Sequence, residues 1–98
     1  MLVIDAGPDG SVVMTGRLDA SQAEAAQAAL DRTHGVVALD CRGLEYISSA
    51  GLGVLLKTQK RAMAAGQGLR LVNVNRHIRD IFRFAGFDRL FEVVPAAD

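Results

Sequence analysis

The stretch Val36–Leu56, VVALDCRGLEYISSAGLGVLL, contains the change of pattern that decides the fold. Its first residues, Val36–Leu39, form a continuous apolar run, which is typical of a strand covered on both faces. Asp40–Gly43 is predicted to leave that strand. From about Ala50 to Ala65 the apolar residues recur at helical spacing, and Gly66 is a stop signal. The stretch therefore predicts a strand, a loop and an amphipathic helix.

The same alternation of strand and helix patterns extends to both ends of the chain. Before this stretch we predict strands at Leu2–Ile4 and Ser11–Thr15 around a turn at Gly7, Pro8 and Gly10, and a helix at Ala20–Arg32 that Gly35 ends. After it we predict a strand at Leu69–Val74, a helix capped by Asn75 and closed by Gly86, and a final short strand or extended tail at Leu90–Val94. The order β-β-α-β-α-β-α-β predicts an α/β fold with a mixed, mostly parallel sheet of four to five strands and three helices. Its 98 residues are the length of one domain, 1–98.

Composition and charge exclude several classes of protein. Lys plus Arg and Asp plus Glu each number 11, so the formal net charge is zero, which argues against a nucleic-acid binder. Trp is absent and the aromatic residues are few, so a base-stacking surface is not expected. The N-terminus does not resemble a signal peptide, and no apolar run approaches the roughly 20 residues of a spanning helix. We therefore expect a soluble, cytoplasmic protein without membrane insertion.

The two adjacent serines, Ser48 and Ser49, precede the predicted second helix. Ser49 is expected to be its N-cap, where a hydroxyl accepts a hydrogen bond from a free backbone N–H. The same position would present the hydroxyl at a helix tip, where unpaired N–H groups and the helix dipole favour an added phosphate. The two roles are compatible, since a capping serine is also an exposed one.

A nucleophilic serine is the competing enzyme hypothesis, and the sequence does not favour it. The nucleophile elbow requires glycine two residues before the serine, where Tyr46 and Ile47 stand. A catalytic triad also requires a histidine held by a carboxylate, and the only two histidines, His34 and His77, are both expected at the surface. We therefore predict no catalytic residues and no enzyme activity.

Cofactor and metal signals are equally weak. Gly51 and Gly53 match two positions of a dinucleotide fingerprint, but Leu56 stands at the third glycine position. Gly53 is instead expected to allow close packing of the helix or of a partner's backbone. The single cysteine, Cys41, makes neither a disulfide nor a zinc site and is expected in the core. No cofactor and no metal are predicted.

Two acids are predicted near the serines. Asp40 follows the buried strand, Asp19 follows another, and partners of open α/β sheets meet the carboxyl ends of strands. Asp19 is equally well placed to cap the first helix. If both acids flank Ser49 they would repel a phosphate there, which suits a reversible mark. The arginines Arg76, Arg79, Arg83 and Arg89 are expected on a solvated helix face, and the four phenylalanines in core and C-terminal packing.

Taken together, the chain resembles a STAS domain of the bacterial anti-sigma factor antagonist family over nearly its whole length. The resemblance lies in GRLDAS (Gly16–Ser21), in the opening stretch Val36–Leu56, and in GLRLVNVNRHIRDIFRFAGFDRLFEV (Gly68–Val93). It implies a non-enzymatic protein that binds an anti-sigma factor serine kinase and thereby frees a sigma factor. It also implies phosphorylation by that kinase at Ser49 and reversal by a metal-dependent serine phosphatase.

The residues expected to bind the partner are Asp19, Ser21, Asp40, Ser48, Ala50, Gly51 and Gly53. One departure from the family is visible, because Ser48 stands where the family frequently has an acid before the phosphoacceptor. The alternative interpretation is a STAS module that does not switch and acts as a scaffold or a complex subunit.

Overall fold

The fold is a mixed β-sheet packed against helices, and a computed structural model describes residues 1–7, 10–32 and 38–96 of it. Its elements in chain order are β1 (Leu2–Ala6), β2 (Val12–Leu18), α1 (Ala23–Asp31), β3 (Ala38–Ile47), α2 (Ser49–Ala64), β4 (Arg70–Val74), α3 (Arg76–Ala85), a short 3-10 helix (Phe87–Arg89) and β5 (Glu92–Pro95). The predicted order β-β-α-β-α-β-α-β and the mixed sheet are confirmed. The predicted turn residue Pro8, the helix stop Gly35, the surface residue His34 and the strand start Val36–Val37 lie outside the described residues.

The sheet has the simple strand order β1-β2-β3-β4-β5, in which only the β1–β2 pair is antiparallel. The helices α1 to α3 each connect one parallel strand to its next neighbour. Because such crossovers are right-handed and all advance in one direction, α1, α2 and α3 lie on the same face of the sheet. The carboxyl ends of β2 to β5 consequently share one edge, from which α2 and α3 start.

The hydrophobic core fills the space between the sheet and these helices. Its largest fully buried side chains are Met14, Leu18, Leu30, Leu39, Leu44, Leu55, Leu69, Leu71, Ile78 and Phe82. Burying a side chain of this size contributes about 1.5–3 kcal/mol. The polar side chain of Gln59 is also buried, and it accepts a hydrogen bond from Leu69 N at 2.6 Å and donates one to Leu90 O at 2.6 Å. The buried amide therefore ties α2 to β4 and to the C-terminal segment.

The course of β3 differs from the prediction. It continues through Asp40–Gly43, which were expected to leave the strand, and ends only at Ile47. Leu39 and Cys41 are buried while Arg42 is exposed, so the expectation of a strand covered on both faces is wrong. Two register shifts against β2 keep Leu44 and Ile47 on the core side despite their odd spacing. Those irregularities hid the alternation that would have marked a longer strand.

Two smaller predictions are also corrected. The first helix begins at Ala23 rather than Ala20, because Asp19 and Gln22 first form a hydrogen-bonded turn, with Gln22 N donating to Asp19 O at 3.0 Å. The aromatic residues Phe82 and Phe91 pack in the core as expected, whereas Phe84 is 93% exposed. The cap of α3 by Asn75 is confirmed, since its side chain accepts a hydrogen bond from Ile78 N at 2.9 Å.

Candidate functional site

The two serines stand at the start of α2, and the structure divides their roles. Ser48 is the N-cap, with extended backbone, and its Oγ accepts a hydrogen bond from Gly51 N at 3.3 Å. The expectation that Ser49 caps the helix is therefore wrong. The helix begins at Ser49, one residue earlier than predicted, so the last non-helical residue is Ser48 rather than Ser49.

Ser49 is the first residue of α2, and its side chain is exposed. Its hydroxyl makes no hydrogen bond with any of the residues that the structure describes. Neither Asp nor Glu stands in this first turn, so the positive end of the helix dipole lacks a compensating charge there. The hydroxyl is therefore available to react at a position that favours a negative group.

The first turn of α2 is held against the end of β2. Ser48 N donates a hydrogen bond of 3.0 Å to Leu18 O. A Cβ added to Gly51 would lie 2.5 Å from the same Leu18 oxygen and 2.8 Å from Ile47 Cγ1. Only glycine permits this approach, so the structure explains Gly51 by packing within the chain. The contact also brings the residue after Leu18, Asp19, beside the serines.

The loop at Asp19 is ordered by its own hydrogen bonds. Asp19 Oδ1 accepts one from Ser21 Oγ at 2.6 Å and one from Ser21 N at 3.1 Å. The hydrogen bond from the Ser21 hydroxyl lowers the pKa of the Asp19 carboxyl, and Arg17, whose Nε is 3.9 Å from Asp19 Oδ2, lowers it further. The guanidinium of Arg17 also lies 4.5 Å from the ring centroid of Tyr46. Asp19 is therefore a charged residue at this edge, as predicted, and Arg17 is a neighbour that the sequence did not reveal.

Beside Ser49, α1 and α2 enclose a shallow groove of about 480 Å³. Ala50 and Gly53 line it from α2, and Gln27 lines it from α1. A Cβ added to Gly53 would meet no atom within 4 Å among the described residues, so close packing within the chain does not explain this glycine. The Oε1 atom of Gln27 is buried and has no hydrogen-bond partner in the described part of the chain. The groove is thus open to a further molecule.

Asp40 does not join this site. It is the third residue of β3 and pairs with Val13, and the five residue steps of β2 from Val13 to Leu18 alone span roughly 16 Å. Its expected position at the carboxyl end of the strand is therefore wrong, because β3 continues past it. Its Oδ1 accepts a hydrogen bond from Arg42 N at 3.0 Å. Of the two acids predicted near the serines, the structure brings only Asp19 to the same edge.

The described residues offer few other groups that could bind a metal ion or react. No cluster of His, Cys, Asp or Glu that could hold a metal ion occurs in residues 1–7, 10–32 and 38–96. Burial raises the pKa of the Cys41 thiol to about 12, with a smaller contribution from the charge of Asp40. None of the helices within those ranges is long and apolar enough to cross a membrane.

Comparison with known proteins identifies relatives over most of the chain. The profile of the family described as "Mlab, STAS domain" matches residues 4–95. The protein BtrV of Bordetella bronchiseptica, named as an anti-sigma factor antagonist, is 40% identical over 81 residues, which are 82% of this chain and 70% of BtrV.

Solved structures share the fold at lower identity. An anti-sigma factor antagonist from Mycobacterium paratuberculosis superimposes with a TM-score of 0.76 at 22% identity, over 97% of this chain and 85% of that one. The anti-sigma factor antagonist SpoIIAA in its unphosphorylated form gives 0.69 at 19% identity, over 99% and 90% of the two chains. Bacillus SpoIIAA in its phosphorylated form gives 0.66 at 20% identity, over 96% and 91%. At these identities the structures support the fold alone.

Proposed function

The chain belongs to the STAS domain family and within it to the anti-sigma factor antagonists, and from this we propose that it binds an anti-sigma factor serine kinase while Ser49 is unphosphorylated. Phosphorylation of Ser49 by that kinase then releases it, which regulates transcription that depends on a sigma factor. The observation that carries the proposal is the division of the serines. Ser48 supplies the cap, so the exposed Ser49 hydroxyl has no structural role to lose when it is modified.

The proposed docking face consists of the first turn of α2 with the loop beside it. It contains Ser48–Gly51 and Gly53 from α2, and Asp19 and Ser21 from the loop. Gly53 supports this assignment, because a helix-interior glycine costs roughly 1 kcal/mol relative to alanine and no contact in the described chain requires it. The open groove between α1 and α2 offers a partner space beside this turn. Asp40 is left out of the face because of its distance.

The proposed phosphate acts on the interface and leaves the fold in place. It adds about −1.5 to −2 charges at the helix N-terminus, where the dipole stabilises negative charge. The same charge would have to be desolvated against a bound partner, next to the ionised Asp19. Release therefore follows from two effects at the docking face. The phosphate is repelled by Asp19, and its charge would lose its hydration against the bound partner.

In this proposal the chain is a substrate and a partner, and residues 1–98 form the module. The chemistry of transfer belongs to the kinase with its ATP, and a metal-dependent serine phosphatase restores the unphosphorylated form. We place this protein and both enzymes in the bacterial cytoplasm, where the proposed switch regulates transcription. No nucleic-acid contact is proposed, because the formal net charge is zero.

Intact-mass analysis tests the proposal. The chain is incubated with ATP, Mg²⁺ and a cognate anti-sigma factor kinase, and the wild type is compared with Ser49→Ala and Ser48→Ala. We expect one added phosphate in the wild type and in Ser48→Ala, and none in Ser49→Ala. Stable kinase binding without any added phosphate would overturn the switch and favour the alternative, a STAS scaffold or complex subunit.

A further inference from the structure

Away from the docking face, α3 presents a basic surface to solvent. Arg76, Arg79 and Arg83 line a groove of about 400 Å³ that reaches the ends of β4 and β5. Among the described residues that line it, the only acid is Asp80. The spacing of three and four residues places the three guanidinium groups along one side of the helix. Of the amino-terminal N–H groups of α3, that of Ile78 already donates a hydrogen bond to the Asn75 side chain.

These three arginines differ from others in the chain. Arg17, Arg61 and Arg70 each lie within 4 Å of a carboxylate. Arg76, Arg79 and Arg83 make no such ion pair with any residue in the described ranges. The Nε atom of Arg79 is buried and also lacks a hydrogen-bond partner there. The three guanidinium groups therefore carry charge without a carboxylate partner among the described residues, and an external carboxylate would supply one.

An exposed aromatic side chain lies farther round the same helix, roughly 100° from Arg83 and beyond Asp80. Phe84 follows Arg83 directly and lies one helical turn after Asp80, and it is 93% exposed. By contrast, Phe82 is fully buried and stacks on Phe91 with ring centroids 6.5 Å apart. Phe84 therefore adds nothing to the core. Aromatic residues and arginine are the side chains that protein interfaces enrich most.

We propose that the exposed surface of α3 around Arg76, Arg79 and Arg83, with Phe84 at its margin, is a second docking surface that binds an acidic, partly apolar segment of a partner protein. The planar guanidinium groups match carboxylates in a bidentate geometry, which gives the surface its charge selectivity. Phe84 supplies apolar area that a small inorganic anion would leave exposed. The zero net charge of the chain and the single short row of arginines on α3 argue against binding to a nucleic-acid backbone.

The basic surface of α3 starts from the same edge of the sheet as the proposed docking face. Asn75 Nδ2 donates a hydrogen bond of 2.8 Å to Leu44 O, so α3 starts against β3, the strand that leads into α2. Both helices start from the same edge of the sheet. A partner that covers Ser49 can therefore reach Arg76 without passing to another side of the molecule. The proposal does not depend on the phosphorylation of Ser49.

The test is an NMR titration of the full ¹⁵N-labelled chain with synthetic peptides, without kinase or ATP. One peptide alternates Glu and Leu, the second alternates Glu and Ser, and the third alternates Lys and Leu. We expect the Glu/Leu peptide to shift the amides of residues 76–84 and the Lys/Leu peptide to shift none of them. The double variant Arg79→Gln/Arg83→Gln should weaken Glu/Leu binding about tenfold, the equivalent of about 1.4 kcal/mol.

A matched double variant, Arg32→Gln/Arg42→Gln, removes the same charge at exposed positions outside α3 and should change binding less than about twofold. Phe84→Ser should weaken the Glu/Leu peptide and leave the Glu/Ser peptide unchanged. Equal losses in the two double variants would show a general attraction of charge and overturn the proposal, as would shifts centred outside α3 or no binding at all. Because no step uses Ser49, failure here leaves the phosphorylation switch standing.

Discussion

The main-chain N–H of Ser48 donates a hydrogen bond of 3.0 Å to the carbonyl oxygen of Leu18. This bond joins two segments that are thirty residues apart in sequence. It places the Asp19 loop beside the first turn of α2, and Gly51 permits the contact because its missing side chain leaves room for the Leu18 oxygen. The proposed docking face is thus built from two segments held together by backbone atoms.

The division of the serines predicts different effects on stability. Ser48→Ala removes the cap of α2 and is expected to lower the free energy of unfolding by about 1 kcal/mol. Ser49→Ala removes an exposed hydroxyl without a partner and should change it by less than about 0.5 kcal/mol. Urea unfolding followed by circular dichroism measures both. Equal costs for the two variants would mean that Ser49 also has a structural role.

A negative charge at Ser49 is expected to stabilise the chain while weakening the complex with the kinase. Ser49→Asp places a carboxylate at the first residue of α2, where the dipole contributes about 0.3–1 kcal/mol at low salt. Thermal unfolding should show a small rise in Tm, and calorimetric titration with the kinase should show weaker binding. Ser49→Asn is the neutral control. A lower Tm for Ser49→Asp would indicate that phosphate acts by disrupting the helix.

The two glycines of α2 are expected to respond in opposite ways to alanine. Gly51→Ala drives a Cβ against the Leu18 oxygen and Ile47, and should destabilise the fold by about 1–3 kcal/mol. Gly53→Ala meets open space and improves helix propensity, so it should stabilise the fold by up to about 1 kcal/mol. Kinase binding should nevertheless fall in Gly53→Ala. Unchanged binding in that variant would remove Gly53 from the docking face.

Because the Cys41 thiol is buried, we expect the folded chain to lose stability at high pH. Its pKa is about 12 in the folded chain against 9.0 for the ordinary thiol, because burial disfavours the thiolate. The unfolded chain releases this proton first, so the contribution of Cys41 is complete below pH 9 and is lost as the pH rises toward 12. The free energy of unfolding should therefore decline less steeply above pH 9 in Cys41→Ala than in the wild type.

Parallel slopes for the wild type and Cys41→Ala would contradict this assignment. An independent check is alkylation by iodoacetamide at neutral pH, which should be slow in the folded chain and rapid after denaturation, because the thiol is both protonated and buried.

Much of the fold was predictable because its signals are local. Apolar periodicity and glycine stops predicted the element order, and Asn75 was correctly predicted as a cap. The length of β3 was not predictable, because the register shifts against β2 interrupt its alternation after Cys41. That error displaced Asp40 to the wrong end of the strand. The helix start, predicted one residue too late, assigned the cap of α2 to Ser49 instead of Ser48.

The candidate site could be predicted only in part, for a related reason. The helix tip and the nearby Asp19 follow from strand order, since the carboxyl ends of parallel strands share an edge. The Arg17–Tyr46 contact and the exposure of Phe84 depend on which face each residue takes after a register shift or a helix start. Tertiary packing determines both features, so composition and periodicity do not predict them.

The separation of cap from exposed hydroxyl also bears on how such a protein can change over generations. If a single serine both capped the helix and received the phosphate, any replacement of it would destabilise the fold. Here the helix start does not depend on the Ser49 hydroxyl, because Ser48 supplies the cap. Under the proposed function, replacement of Ser49 would remove the switch and its return would restore it, and selection on folding would oppose neither change.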